Sequence, residues 1–288
     1  MIFSIMSSKY FRQLFMNQLV DKIYILYITQ NEINKFQKQM AANNLDIKYE
    51  FYLGTNGSAF KPYIQYFIKK RKNELKDNPI FRKINEIIDH KKYFIRNEKQ
   101  LGHIRSFINI IRNAQKNNYK KICILESDAL FHKDFQSLLQ NYKETISTYP
   151  LFYLGSNDSR VKITNSFSEK LDIPEKKKQF TNLILKNYQL YQEKKVYQPH
   201  LPYGTFAMII DQSLFQSVLD TLLLQIFPTD VLFFYIQHQL NESNINWGTA
   251  YPNLIIADVS KSSILEDRDP VKFAKSRGWI LENYFICL

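Results

Sequence analysis

The sequence predicts an α/β protein built on a mostly parallel, Rossmann-like sheet flanked by helices on both faces. Three observations carry this expectation. Short runs of β-branched and aromatic residues alternate with helical stripes, the pattern of a sheet assembled from βα units. The two clearest runs, residues 22–29 and 121–125, have the near-continuous apolar character of strands buried on both faces. The second of them ends in Glu126-Ser127-Asp128, so carboxylates fall where a buried strand leaves the core.

The elements follow in order. Residues 22–29, Lys-Ile-Tyr-Ile-Leu-Tyr-Ile-Thr, form the first core strand. Asn31 caps a helix whose apolar positions Ile33, Phe36 and Met40 recur at helical spacing, and 47–53 supplies a second strand. Gly54-Thr55-Asn56-Gly57 is a turn, and 62–90 is a Lys-rich helical region with a solvated face. Leu101, Ile104, Ile108 and Ile111 make one helical stripe, widened by Phe107 and Ala114, ahead of the strand at 121–125. A second helix through Phe135, Leu138, Leu139 and Tyr142 leads to a short strand at 151–154.

Residues 157–198 are polar and Lys-rich, including Lys176-Lys177-Lys178, and read as an insertion. Order resumes with a strand at 203–210 and a helix carrying Leu214, Phe215, Val218, Leu219 and Leu222. Pro228-Thr229-Asp230 starts another helix, and a closing strand pair covers 249–251 and 254–257. The organisation is therefore an extension over 1–20, one domain over 21–260 interrupted at 157–198, and a charged tail over 261–288.

Composition narrows the function classes. A hydrophobic content of 45%, with 19 Tyr and 22 Phe, excludes a disordered chain, and 288 residues suffice for one large α/β domain. The formal charge of +12 favours an anionic partner such as a phosphorylated donor, an anionic membrane surface touched peripherally, or nucleic acid. Abundant Lys, Asn and Ile with only 7 Gly also fit an AT-rich genome, which weakens the argument from charge. The runs Lys69-Lys70-Arg71-Lys72 and His90-Lys91-Lys92 lie in separate segments without a binding-module signature, so no specific nucleic acid is expected.

Two cysteines, Cys123 and Cys287, exclude a disulfide scaffold or zinc cluster and point to a reducing, cytosol-like compartment. The apolar start at 1–6 is interrupted by Lys9 and Arg12 before it reaches the length of a secretory core. No stretch approaches the roughly 20 apolar residues of a membrane span. A soluble, cytoplasmic protein is expected.

The chemistry is expected to centre on Glu126 and Asp128. Open α/β sheets bind ligands in the crevice beyond the carboxyl ends of their strands. Two carboxylates one residue apart point the same way in extended chain, so both can reach one Mn²⁺ or Mg²⁺ directly or through water. An ion there would stabilise a departing diphosphate. The competing reading is a turn or helix cap.

Six further positions lie near that edge. Thr29 and Gln30 leave the first strand, Gly54 and Gly57 allow close backbone approach, and Gly102 and Ser106 lie just before and within the helix facing the acidic strand. An ordinary strand exit and turn, and a helix start at Gly102, are the competing readings. The five histidines show no metal-ligand spacing; His238 reads as packed or solvated on its helix, and His200 could line an acceptor cleft.

The order Gly102-His103-Ile104-Arg105-Ser106, a helix, then Ile124-Leu125-Glu126-Ser127-Asp128-Ala129-Leu130 resembles glycosyltransferase family 25, whose pattern is G-C-x-x-S-H, helix, L-E-D-D. Tyr153-Leu154-Gly155, Tyr203-Gly204-Thr205-Phe206-Ala207 and Pro228-Thr229-Asp230 fall in the same order, and the likeness spans about residues 21–258. His103 stands where that family commonly has Cys, Phe107 where it has His, and Ser127 replaces the middle acid.

The resemblance implies a GT-A-like nucleotide-sugar transferase fold, a UDP-sugar donor carrying galactose or glucose, and a hydroxyl acceptor on a glycan, lipid-linked saccharide or protein. It also implies a divalent metal at Glu126 and Asp128, with Asp230 as general base or acceptor-binding carboxylate, against the competing reading of Asp230 as a helix N-terminal charge. Two alternatives stand beside it. The departures allow an inactive sugar-nucleotide-binding protein, and the charge allows a polyanion binder. A phosphoryl-transfer enzyme would lack its phosphate loop, because Gly54 and Gly57 do not form one.

Overall fold

The structure is a computed structural model and describes residues 15–88, 93–157, 195–199, 204–260, 269–277 and 279–285. Within them the chain runs α1 (Phe15–Leu19), β1 (Lys22–Tyr27), α2 (Gln30–Ala42), β2 (Glu50–Leu53), a 3-10 helix (Gly57–Tyr63), α3 (Ile64–Leu75) and α4 (Pro79–Ile87). Next come α5 (Glu98–Lys116), β3 (Lys121–Glu126), β4 (Ala129–Phe131), α6 (Phe135–Gln140), α7 (Lys143–Thr148) and β5 (Leu151–Tyr153). The rest comprises β6 (Val196–Tyr197), β7 (Ala207–Asp211), α8 (Phe215–Leu222), α9 (Thr229–Glu242), β8 (Gly248–Ala250), β9 (Ile255–Ala257) and α10 (Pro270–Arg277).

Seven strands form one sheet in the order β2-β1-β3-β7-β5-β8-β6, flanked by helices. The α/β class and the two-sided coverage are as expected, but the sheet is mixed rather than mostly parallel. Strand β1 is parallel to β2 and β3, and β5 to β8, whereas β7 runs against both β3 and β5, and β6 against β8. A strand buried on both faces is apolar whichever way it points. Direction is set by the connection, which apolar patterning does not encode.

The closing pair is also corrected. Strands β8 and β9 do not pair with each other: β8 joins the main sheet, while β9 pairs antiparallel with β4 in a separate two-stranded ladder, Ala129 opposite Ala257. That ladder brings the chain just after β3 beside the chain just after β9.

Side chains alternate across the sheet as a two-residue period requires. Tyr24, Leu26, Ile122 and Ile124 pack with Leu101, Ile104, Ile108 and Ile111 of α5 and with α8 and α9. Ile23, Ile25, Cys123 and Leu125 face the other way, onto Phe36 and Met40 of α2 and Phe135 of α6. Met16 and Val20 join this second core, and Ala274, Trp279 and Tyr284 pack on Leu130 and Ile256. Both terminal segments thus contribute buried surface.

Several boundaries shift for local reasons. Thr29 rather than Asn31 is the N-cap of α2, because the Glu32 carboxylate reaches back to the Ile28 and Thr29 N–H groups at 2.7 and 3.4 Å. The Lys-rich region divides into two helices at Asn78, whose side chain accepts from Phe81 N at 3.0 Å with Pro79 at the first helical position. Its charges are not all solvated: Arg71 donates to the Leu223 and Leu224 carbonyls, and Lys72 sits 3.5 Å above the Phe94 ring. The insertion over 158–194, His90-Lys91-Lys92, Lys176-Lys177-Lys178, His200, Tyr203, Asp267, Arg268 and Cys287 lie outside the described residues. No helix among the described residues is long and apolar enough to cross a membrane.

Candidate active site

Strands β2, β1 and β3 are adjacent and parallel, so their carboxyl ends share one edge, and a cleft of about 620 Å³ opens beyond it. This is the crevice position at which open α/β sheets bind ligands. Its floor is made by Tyr27 and Ile28 at the end of β1, Thr55 to Gly57 after β2, and Glu126 to Asp128 at the end of β3. Glu32, Lys35 and Lys38 of α2 form one wall, Lys99, His103 and Ser106 of α5 another, and Asp258 and Ser260 close it after β9.

The first half of α5 lies against the 54–57 turn because glycines permit it. A Cβ on Gly57 would fall 2.0 Å from the Glu98 carbonyl oxygen, and one on Gly102 2.5 Å from that of Thr55. Gly102 is therefore a packing glycine inside α5, four residues after its first position, and not the helix start expected; Asn97 caps this helix, accepting from Gln100 N at 3.0 Å. Ser106 is buried, accepts from Thr55 N at 2.8 Å and donates to the Gly102 carbonyl at 2.9 Å. It fixes the turn that borders the cleft.

The acidic residues are held differently. Glu126 Oε1 lies 3.1 Å from His103 Nε2 and accepts from the buried Thr205 hydroxyl at 3.4 Å. His103 Nδ1 lies 2.7 Å from the Thr229 hydroxyl, and its ring packs on Phe107 at 4.9 Å. Burial pulls the His103 pKa down, but the charge and hydrogen bond of Glu126, with Asp230 behind it, outweigh that and leave it raised. The His103 ring bridges Glu126 to Thr229 in the first turn of α9.

Asp128 has weaker compensation, a hydrogen bond from its own backbone. Its Oδ1 is shut off from solvent without a hydrogen-bond partner. Burial, then the charges of Glu126, Asp258 and Glu32, push its carboxyl well above the usual range. Ser127 donates to Glu32 Oε2 at 3.1 Å. An acid at 127 would confront that carboxylate, which explains a hydroxyl at this position.

Asp230 lies in the first turn of α9, as expected, and accepts from Val231 N at 3.1 Å. Burial raises its pKa against the pull of His103. It is close enough to feel Glu126 but does not line the cleft. Of the other expected residues, Glu126, Asp128, Gly57 and Ser106 line it. Thr29 and Gln30 are exposed beside it, while Gly54 and Gly102 support it from behind. His238 lies apart, 3.4 Å from Glu242.

Sequence reasoning missed Glu32, Lys35, Lys38, Lys99 and Asp258. The Thr29-x-x-Glu32 spacing is a readable helix-start signature. Asp258 follows the last strand, but only the β4–β9 pairing reveals its neighbour.

Three partly buried groups here share one sign. Asp128, Asp230 and His103 all have raised pKa values, so the folded chain binds more protons than the unfolded one. Stability must then fall as pH rises from the ordinary values toward the raised ones. Metal-free protein is expected to show a lower urea midpoint at about pH 7 than at about pH 5. Asp128→Asn should flatten that slope; an identical slope in the variant would refute the assignment.

Among the described residues no three His, Cys, Asp or Glu side chains are placed to enclose one metal ion. One or two carboxylates completed by phosphate oxygens and water is the usual arrangement for Mg²⁺ at a phosphate site. The unpartnered Asp128 oxygen beside other carboxylates fits that arrangement. Fold and site together define an α/β protein with a mixed sheet and a carboxylate-bearing cleft at the ends of three parallel strands. Neither a protein-family model nor a curated protein matches the chain.

Proposed function

We propose that this protein is a GT-A-like glycosyltransferase that moves a hexose, galactose or glucose, from a UDP-sugar to a hydroxyl acceptor on a glycan, lipid-linked saccharide or protein. The observation that carries the reading is Asp128: a carboxylate oxygen buried without a partner, at the floor of a cleft where α/β sheets bind ligands. The resemblance of the segments around Gly102 and Glu126 to glycosyltransferase family 25 supports it.

In this reading the acidic motif Glu126-Ser127-Asp128 serves a divalent Mn²⁺ or Mg²⁺, with Asp128 contributing the oxygen that no protein donor satisfies. The chemistry such an ion supplies is charge neutralisation on the departing nucleoside diphosphate. Lys35, Lys38 and Lys99 add positive charge along the same cleft and favour a phosphorylated donor. The turn at Gly54 and Gly57 lets backbone approach the donor. Asp230, whose pKa burial raises against the pull of His103, is the proposed acceptor of the hydroxyl proton, with the acceptor entering from the α9 side.

A second reading has its own observation. Glu126 is engaged by His103 and Thr205, which suits a protein that binds a sugar nucleotide without turning it over. Hydrolysis and binding of UDP-galactose and UDP-glucose by the full chain, with and without Mn²⁺, separate the two. Metal-dependent UDP release supports the transferase. Binding without turnover across a broad acceptor panel supports the second reading, and folded protein with neither overturns both.

A further inference from the structure

The register of the small ladder carries the site further. Ala129 is opposite Ala257, so the next pair outward is Asp128 opposite Asp258, and Asp258 N donates to the Asp128 carbonyl at 2.8 Å. Directly opposed side chains in an antiparallel pair lie about 4.5–5.5 Å apart at Cβ, and like charges there are destabilising. Here the pair is also partly buried, lines the cleft, and includes an oxygen with no partner.

Asp258 is held in place. Its Oδ1 accepts from Ser260 N at 3.0 Å and from the Ser260 hydroxyl at 2.5 Å, so both bonds fall on one oxygen. The strand before it is anchored to the main sheet, since Leu254 N and Ile255 N donate to the Leu154 carbonyl at 2.7 and 3.1 Å. Glu126, by contrast, faces His103 and Thr205.

We infer that Asp128 and Asp258, facing each other across the β4–β9 ladder, hold a hard divalent cation between them, while Glu126 is committed to His103 and is not a metal ligand. The inference rests on the proposed metal-dependent reading and reassigns its ligands. Two carboxylate oxygens from opposite strands, with phosphate or water completing the sphere, suit Mg²⁺ or Mn²⁺. One cation resolves the like-charge opposition and satisfies the stranded oxygen.

The test is Mn²⁺ binding to the full chain, followed by loss of the free-ion electron paramagnetic resonance signal, alone and with UDP. Asp258→Asn and Asp128→Asn are each expected to weaken Mn²⁺ binding about tenfold or more, and Glu126→Gln to change it less than about threefold. Thermal melts show whether each variant folds. Removing one of two opposed charges should leave metal-free Asp258→Asn at least as stable as the parent, while Mn²⁺ should stabilise the parent more than Asp258→Asn. Should Asp258→Asn misfold, Ser260→Ala, which removes the hydroxyl bond to Asp258 Oδ1 and leaves only the backbone N–H to orient it, is expected to weaken Mn²⁺ binding in the same direction. Parent-like affinity in Asp258→Asn, or loss in Glu126→Gln matching that in Asp128→Asn, overturns this assignment and leaves the metal-dependent reading standing. A parent that takes up no Mn²⁺ under either condition overturns both.

Discussion

Asp128→Asn is expected to reduce Mn²⁺-dependent release of UDP from a UDP-sugar by about a thousandfold, while the metal-free variant stays folded. The size of the loss follows from the role: charge stabilisation on a leaving group is commonly the largest catalytic contribution, and removing one donor or ligand costs about two to three orders of magnitude. The preserved fold follows from the present state of the side chain. Asp128 Oδ1 makes no hydrogen bond, and its ionised form is opposed by burial and by Glu126, Asp258 and Glu32. An amide of the same shape carries no charge, so the variant relieves an electrostatic cost instead of breaking a contact. A structural carboxylate behaves in the opposite way, because its loss strands the partners it served. Steady-state UDP release paired with urea unfolding therefore distinguishes the two roles. Loss of stability with retained turnover would remove Asp128 from the site.

How much of this was legible beforehand depended on which physical signal each feature leaves in one stretch of chain. Strand β1 and helix α5 announce themselves by period, because each buries a face and side-chain spacing must match the backbone repeat. The Glu126 and Asp128 pair was visible because a buried strand ending in acids contradicts the apolar run before it. The antiparallel direction of β7 was not visible: Ala207 to Ile210 is uniformly buried, and no alternation records which way it runs. Asp258 was hidden for a related reason. Its meaning lies in a pairing with a residue 130 positions earlier, and no local spacing carries that. His103 shows an intermediate case. Its place in the Gly102-to-Ser106 segment drew notice, yet its bond to Glu126 required α5 and β3 to be set side by side. Ser127 was legible as a departure, and only the neighbouring Glu32 explains why a hydroxyl stands there.

Gly57→Ala should cost about 3 kcal/mol of stability, near the upper end for overpacking a tight contact. The new Cβ would sit 2.0 Å from the Glu98 carbonyl oxygen, 2.5 Å from its carbon and 3.0 Å from Lys99 N. All three are backbone atoms in the first turn of α5, so no side-chain rotation relieves the clash. Either the helix start or the 54–57 turn must move. Moving the turn strains the bond from Thr55 N to the buried Ser106 hydroxyl, 2.8 Å long, and pulls the cleft floor away from the wall that carries Lys99 and His103. Donor binding should weaken along with stability. Gly54→Ala provides the contrast. Its Cβ would meet the tips of Ile28 and Leu26 at 2.6 and 3.0 Å and Ser106 Oγ at 3.1 Å, all of them side-chain atoms. Rotamer shifts at Ile28, which is partly exposed, can absorb most of that, and a cost nearer 1 kcal/mol is expected. Urea denaturation of the two variants side by side measures the difference. If Gly54→Ala proves the more damaging, then the α5 contact is not what holds the turn, and the cleft floor must be fixed from β1 instead.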